Sequence, residues 1–438
     1  MKTLKSTIIS FLGALVAATP LYAETLTLSR DDVRQMALAS DEDVQIADNQ
    51  LTQASLDRGI AKTAYLPNFS ASATGVYRVP DTKNDFMTLQ MRGLYMAGIN
   101  LTQPIYAGGK IVAANKLAKI GEDISRQQNR MTRMDVIANA DNSYWTYIAV
   151  LEKVKMTQAY LQQIDSIYES TRRNYETGMI TRNDLLRIEA RRSQVEYNLN
   201  QATAGANLCR QSLCRVIGVD YATEIIPTDT TVPVPEVSSY ERSVDQRPEV
   251  EMLSSAIEAR QQQVKMARAD FLPTVGLQLG WSAFGNLKYS MMMQGADGQY
   301  HELSDSYNSN GFMGLLSVSI PIFHWGEGCK KVRKAKLDVE NAILDKAKKS
   351  RLMELELSNA ITNVETGRQL ITSAETAMRQ AEENLSAMNA RYRTGMITLT
   401  DLLDAQSQWQ VSYANLIEAR TQYQINLTSY RRAAGILE

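Results

Sequence analysis

Four stretches of this sequence return later in the same chain, in the same order. Tyr175-Glu-Thr-Gly178-Met-Ile-Thr181-Arg-Asn-Asp184-Leu185-Leu186 returns as Tyr392-Arg-Thr-Gly395-Met-Ile-Thr398-Leu-Thr-Asp401-Leu402-Leu403. Pro104-Ile105-Tyr106-Ala107-Gly108-Gly109 returns as Pro321-Ile322-Phe323, followed by Gly326 and Gly328. Leu66-Pro67 returns as Leu272-Pro273, and Asp43-Val44 as Glu249-Val250. Chance produces one such match but not an ordered series. The chain is therefore a tandem duplication, and any local reading has to hold in both copies. Residues 24–226 form the first repeat and 238–438 the second. A linker over 227–237, carrying Pro227, Pro233 and Pro235, joins them.

Each repeat reads as helix, two strands, long helix, turn, helix. In the first, a helix is expected over 29–64, with Ser29 as N-cap and Leu66-Pro67 as its stop. Two strands follow, ending at Pro104. A long helix over 110–175 ends at Gly178, and Thr181 opens the next, which lasts to Ile217 before Gly218. The second repeat gives helix 243–269, strands up to Pro321, helix 330–392, the Gly395 turn, and helix 398–434. At 1.5 Å per residue each long helix spans roughly 100 Å. The shorter helices of a repeat are each about half that length, so an end-to-end pair would match one long rod.

The long helices carry narrow apolar seams. Leu161, Ile164, Tyr168 and Tyr175 keep the spacing of one helical face, and Ala381, Leu385, Met388 and Tyr392 repeat it. A narrow seam is the pattern of a coiled coil, so the helices alone admit a soluble coiled-coil scaffold. The strands point elsewhere. Val275, Leu277, Leu279 and Trp281 alternate with Gly276, Gln278, Gly280 and Ser282. Phe312, Leu316, Val318 and Ile320 share one parity, and Tyr95, Ile99 and Leu101 hold the matching places in the first repeat. Strands of about ten residues with one apolar and one small or polar face suit a lipid-facing wall around water. They also suit a half-buried soluble hairpin. Four strands cannot close a barrel, and open edges cannot face lipid, so insertion requires oligomerisation.

Composition narrows the classes further. With 22% charged residues and a formal net charge of −1, the chain lacks the basic surface of a nucleic-acid binder. Residues 1–23 read as a signal peptide: Lys2 and Lys5, a short apolar run, and a small residue, Ala23, at the cleavage point. The run is too short to span a bilayer as a helix. Cys209 and Cys214, five apart on a helix, cannot bridge, and they read as buried small residues; Cys329 has no evident partner. No catalytic triad, phosphate loop or Cys/His ligand cluster appears, so no enzyme and no cofactor is expected. Gly108-Gly109-Lys110 reads as a tight strand-to-helix corner. The Met291-Met292-Met293 run, with His301, is placed in a solvated hairpin loop rather than in a copper site.

The duplicated Tyr-x-x-Gly-x-x-x-x-x-Asp-Leu-Leu turn resembles that of the TolC family of outer membrane efflux proteins. Leu26-Thr27-Leu28, Arg247-Pro248-Glu249 and the stretch from Leu213 to Gly218 also look like the family. The resemblance covers nearly the whole chain after the signal. It implies a mainly α fold with a β membrane part: a trimeric α-helical barrel of long coiled-coil helices fused to a 12-stranded transmembrane β-barrel, four strands per chain. The implied role is a passive exit duct in the bacterial outer membrane, projecting into the periplasm, in a tripartite efflux or type I secretion system. Its implied partners are two further copies, outer membrane lipid, a periplasmic adaptor, and an inner-membrane pump of the RND, ABC or major facilitator class. An adaptor or scaffold is the competing reading, but adaptors carry one hairpin and a β-rich flanking domain that is not evident here.

The resemblance also assigns roles at the turns. Tyr175, Gly178 and Thr181, with Tyr392, Gly395 and Thr398, would form adaptor-docking tips. Asp184, Asp401, Asp404 and Ile397 would line the tunnel entrance, where a ring of carboxylates attracts cations. A simpler reading makes the glycines ordinary C-caps and the aspartates dipole-stabilised helix starts. Arg187 stands where the second repeat has Asp404, so the two halves differ in charge. Some family members carry an arginine at the position of Ile397, which suggests a closed state held here by apolar and tyrosine contacts.

Overall fold

The computed structural model describes residues 25–296 and 298–437, so the expected signal peptide lies outside the described residues. The chain order is β1 (Thr25–Leu28), α1 (Arg30–Ser40), α2 (Glu42–Thr63), β2 (Asn68–Tyr77), β3 (Thr82–Lys83), β4 (Met87–Gln90), β5 (Arg92–Ala107), α3 (Lys110–Glu176), α4 (Arg182–Ile217), β6 (Glu224–Pro227), α5 (Pro248–Ala269), β7 (Thr274–Gln294), β8 (Tyr300–Ser319), α6 (Glu327–Arg393) and α7 (Leu399–Ala434). The two long helices, α3 and α6, have 67 residues each, and α4 and α7 have 36 each. The duplication is thus carried into element lengths. Among the described residues no helix is long and apolar enough to cross a membrane.

Two compact units each draw segments from both repeats. The first comprises residues up to 41, 136–238 and 362–429. Its β1 and β6 pair in parallel, with Leu26 opposite Ile225. Tyr147 donates to Ile225 O (3.0 Å), Tyr423 to Pro235 O (2.7 Å) and Gln424 to Pro233 O (2.8 Å), so the Pro-rich linker is held along its length. Burial pushes the Tyr144 phenol up to about 12, and it donates to Asp229 at 2.8 Å.

The expected single helix over 29–64 is two helices. Ser29 caps α1 as expected, with Asp32 completing a capping box, but Asp41 is extended (φ −67°, ψ 128°) and interrupts the helix. Two causes coincide there. A Cβ on Gly218 would lie 2.4 Å from Ser40 Cβ, so the end of α1 is pressed against the end of α4. Glu42 and Asp43 then place negative charge in the first turn of α2, a helix-start signal available in the sequence. The helix expected from 243 begins instead at Pro248, which sits in the first turn behind Arg247; proline there loses no needed N–H.

The second unit comprises 42–135, 239–361 and 430 onward. It holds one antiparallel sheet in which β2 pairs β5, β5 pairs β7 and β7 pairs β8. β4 continues the line of β5 along β7, with Met87 opposite Met291 and Tyr95 opposite Gly285, so the sheet is four strand lines wide. Register puts Phe69, Leu101 and Leu279 on one face, with Ile99, Trp281 and Phe312. Ser70, Asn100, Gly280 and Met313 share the other. The alternation read in the sequence therefore survives pairing as one apolar face and one mainly small or polar face.

Strand ends differ from expectation. β5 passes through Pro104 to Ala107 because its register shifts between Pro104 and Tyr106, and such an irregularity tolerates the missing N–H. β7 and β8, with 21 and 20 residues, are about twice the expected length. Residues 291–293 are not in a loop: Met291, Met292 and Met293 pair with Leu303, Glu302 and His301 in β8. A line of irregularities divides the sheet. The register shifts between Val76 and Tyr77 and between Phe284 and Leu287. Asn286, at φ +61°, donates its side-chain amide to Arg92 O (3.1 Å) and Gly93 O (3.0 Å) and its N–H to Asn308 (2.9 Å). Below that line the alternating spans are about the length of a membrane-crossing strand; the longer strands continue beyond it.

The strand-to-helix corner at Gly108 is as tight as the sequence suggested. Gly108 and Gly109 have φ +62° and +82°, and a Cβ on Gly108 would lie 2.7 Å from Ala269 O. Cys214 is buried, Cys209 is half-buried and Cys329 is exposed; all three are free.

Candidate functional site

The Gly178 and Gly395 turns both belong to the first unit, and both end a 67-residue helix in the same way. Gly178 (φ +77°) donates to Tyr175 O at 2.9 Å, and Met179 donates to Asn174 O at 2.8 Å. Gly395 (φ +73°) donates to Tyr392 O at 3.0 Å, and Met396 donates to Arg391 O at 2.9 Å. This pair of bonds closes the orphan carbonyls of a helix end and requires a left-handed residue, for which glycine is suited. Nothing lies within 4 Å of where a Cβ would sit on either glycine. Both turns are therefore open, and Met179 and Met396 project from them, 76% and 75% exposed.

Each turn then starts its next helix with a cap. Thr181 donates to Asp184 Oδ2 at 2.8 Å, and its hydroxyl receives the Asp184 N–H at 3.3 Å. Thr398 repeats this with Asp401, at 2.7 Å and 3.3 Å, and adds a backbone bond to Asp401 Oδ2 at 3.0 Å. The Thr398 hydroxyl and N–H hold the Asp401 carboxyl below the usual carboxylate range. Thr398 and Asp401 thus form a reciprocal capping box. Asp404, one turn further along α7, is also exposed. Arg187 of α4 donates to the Thr400 hydroxyl of α7, joining the two turn regions.

Behind the turns, α3, α4, α6 and α7 share one core. It includes Tyr160 and Ile164, Ile188 and Val195, Ala381 and Leu385, and Leu402 and Trp409. Ile397 and Tyr392 pack against this core, whereas Tyr175 is 38% exposed. The two tyrosines of the repeat, equivalent in sequence, therefore have different environments. Arg191 donates to the Tyr160 hydroxyl (2.9 Å), and Arg192 to Asp165 (2.6 Å), tying α4 to α3 just behind the first turn. Sequence reading missed these ties. Their signal was the run of Arg187, Arg191 and Arg192 on successive turns of α4.

Among the described residues no group of three His, Cys, Asp or Glu side chains is placed to hold a metal ion. The site offers two small, hydrogen-bonded, exposed turns on a four-helix support, with carboxylates at the starts of the returning helices.

The chain is similar to known proteins over most of its length. The outer membrane protein TolC of Escherichia coli (strain K12) is 25% identical over 355 residues, covering 78% of this chain and 69% of that protein. The alkaline protease secretion protein AprF of Pseudomonas aeruginosa is 21% identical over 430 residues, covering 93% and 84%. The open-state structure of the MtrE outer membrane channel of Neisseria gonorrhoeae matches with a TM-score of 0.76 at 18% identity, over 93% of this chain and 88% of that one, so the fold is shared. The outer membrane efflux protein family matches residues 33–219 and 240–436, one match for each repeat, and the chain belongs to that family.

Proposed function

We propose that this chain is one subunit of a homotrimeric exit duct, conducting substrates passively through the outer membrane from a periplasmic adaptor and an inner-membrane pump. Both efflux and secretion lie within its scope, since relatives carry names of both kinds. The observation that carries the reading is the sheet. It has one apolar face, and its order leaves β2 and the short β3 on one side and β8 on the other as edges. Closure then comes from β8 of one copy pairing with β2 of the next, giving an antiparallel barrel without an open edge. The helices departing from it belong to the periplasm.

The Gly178 and Gly395 turns suit adaptor docking. They are exposed, capped and free of side chains at the point of closest approach. Asp404 is the better candidate for a carboxylate ring at the entrance, because Asp401 is engaged in its cap. Ile397, packed with Tyr392 on the shared core, holds the closed state by apolar contact, and Asp184 serves as the first-repeat cap.

Fractionation and crosslinking test this. The chain is expected in the outer membrane as a heat-resistant trimer, and a photo-crosslinker at Met396 is expected to capture the adaptor. Recovery as a soluble periplasmic monomer would sink the proposal. For the gate, unchanged single-channel conductance of the trimer carrying Ile397→Asp would remove Ile397 from that role.

A further inference from the structure

The two strand-to-helix corners occupy equivalent places in the repeats but differ in chemistry. Aligned on Pro104 and Pro321, Gly108 corresponds to Trp325 and Gly109 to Gly326. Trp325 adopts φ +50°, a left-handed conformation that is rare and strained for a bulky side chain. Its indole gains no burial in return, being 85% exposed. Phe323 is exposed beside it, with ring centroids 5.1 Å apart, and Ile322 is 92% exposed. Ile322, Phe323 and Trp325 thus form an exposed apolar run just past the end of β8 at Ser319.

An open groove of about 930 Å³ adjoins the patch. Its apolar floor includes Phe271 and Phe323, and Arg268, Arg333 and Lys336 line it. All three cations are exposed, and no carboxylate lines the groove. The nearby acids are engaged elsewhere: Glu327 with Lys331 at 2.6 Å and Asp270 with Lys110 at 2.7 Å. Lys330 and Lys334 add charge on the next face of α6. The first repeat keeps a cation at the places of Arg268, Arg333 and Lys336, with Lys62, Lys116 and Lys119, but has Ala113, Ala114 and Leu117 where α6 has Lys330, Lys331 and Lys334, and no counterpart of the exposed Trp325.

We propose that this second-repeat corner is a binding site for an anionic phospholipid of the inner leaflet, with its phosphate between Arg268, Arg333 and Lys336. Amphipathic rings settle at the headgroup level of a bilayer, and clustered cations just outside a spanning segment draw anionic headgroups. Apolar floor, exposed indole and unpaired cations here occur in that order, moving from strand to helix. The proposal rests on the sheet spanning the outer membrane, and the helix side of that sheet faces phospholipid.

The test uses the full-length trimer in nanodiscs of phosphatidylethanolamine, with either phosphatidylglycerol or phosphatidylcholine as minor component. Native mass spectrometry should show about a tenfold preference for retained phosphatidylglycerol, falling below about twofold in Arg268→Gln/Arg333→Gln/Lys336→Gln. A photo-crosslinker replacing Phe323 should form adducts with lipid in cells. Equal retention by wild type and variant would overturn the site. So would Phe323 adducts to a second copy of the chain, which would make the patch a subunit contact, or to lipid A, which belongs to the other leaflet. If the triple variant does not assemble, the Phe323 adducts on the otherwise native protein decide the matter. Membrane fractionation and heat resistance report separately on the duct, so loss of lipid preference in an intact membrane trimer counts against this site alone.

Discussion

Arg34 grips Asp141 at two points: its Nε lies 2.7 Å from Oδ1 and its Nη2 lies 2.6 Å from Oδ2. Asp141 is 1% exposed and also receives the Thr428 hydroxyl at 3.2 Å. One pair thus ties α1, α3 and α7 within the first unit. Removing one partner strands a buried charge. Arg34→Ala is expected to destabilise the protein by about 3–5 kcal/mol, while Arg34→Met/Asp141→Leu should lie much closer to wild type. Thermal unfolding of the purified protein checks both; equal losses would mean the pair itself provides the stability.

The turns make a prediction about cause. Gly178→Ala and Gly395→Ala meet no atoms, so their cost is the left-handed backbone alone, roughly 1–2 kcal/mol each. Trimer yield should hold for both. If the turns dock an adaptor, Gly395→Arg should abolish export in cells while the trimer still reaches the outer membrane. Export unaffected by Gly395→Arg would detach docking from this turn.

Asp401 and Asp404 should separate experimentally. Asp401→Ala removes the carboxylate half of the capping box on α7 and should lower the unfolding temperature. A carboxyl held below its ordinary value contributes stability above the unfolded pKa, lost as pH falls through the folded one. The difference between wild type and Asp401→Ala should therefore shrink below about pH 4. Asp404→Asn should leave unfolding unchanged but reduce the cation preference of the reconstituted channel. A stability loss at Asp404 with unaltered selectivity would reverse the assignment.

Glu152 behaves oppositely. It is 5% exposed, its Oε2 has no hydrogen-bond partner among the described residues, and Tyr413 reaches Oε1 at 3.4 Å. Burial raises its pKa, against the pull of Arg420. While both states hold the proton, at low pH, there is no penalty. As pH rises past the ordinary value of 4.5 and through the higher folded value, the charged form costs stability. Glu152→Gln is thus expected to raise the unfolding temperature at neutral pH, with the gain vanishing near pH 4. A gain equal at both pH values would point to packing instead.

The two corners invert the usual effect of glycine. Gly108→Ala forces a Cβ to within 2.7 Å of Ala269 O and 2.9 Å of Leu272 Cβ and should cost on the order of 3 kcal/mol. Trp325→Gly relieves a left-handed tryptophan and should stabilise the isolated protein by about 1 kcal/mol. Unfolding curves of the two variants should therefore move in opposite directions.

Much of the candidate site was legible because its bonds are short in sequence. The glycine caps and threonine caps close within five residues, so Gly178, Gly395, Thr181 and Thr398 follow from local rules read twice. Strand parity was legible too, since pairing preserves an alternation already in the chain. The end of α4 at Ile217, before Gly218, was found for the same reason.

What the sequence determined alone is the duplicated plan, the places where helices end, and which residues share a strand face. These depend on neighbours a few residues away. Tertiary structure decided the rest. It pressed the end of α4 onto Ser40, beside the helix start that Glu42 and Asp43 already mark locally. It paired residues 291–293 with β8, and it drew a line of bulges through Asn286. It joined Arg187 to Thr400, 213 residues away, and set Asp401 apart from Asp404 and Trp325 apart from Gly108. Each of these is settled by atoms that meet only when distant segments pack, and no local pattern encodes which ones will.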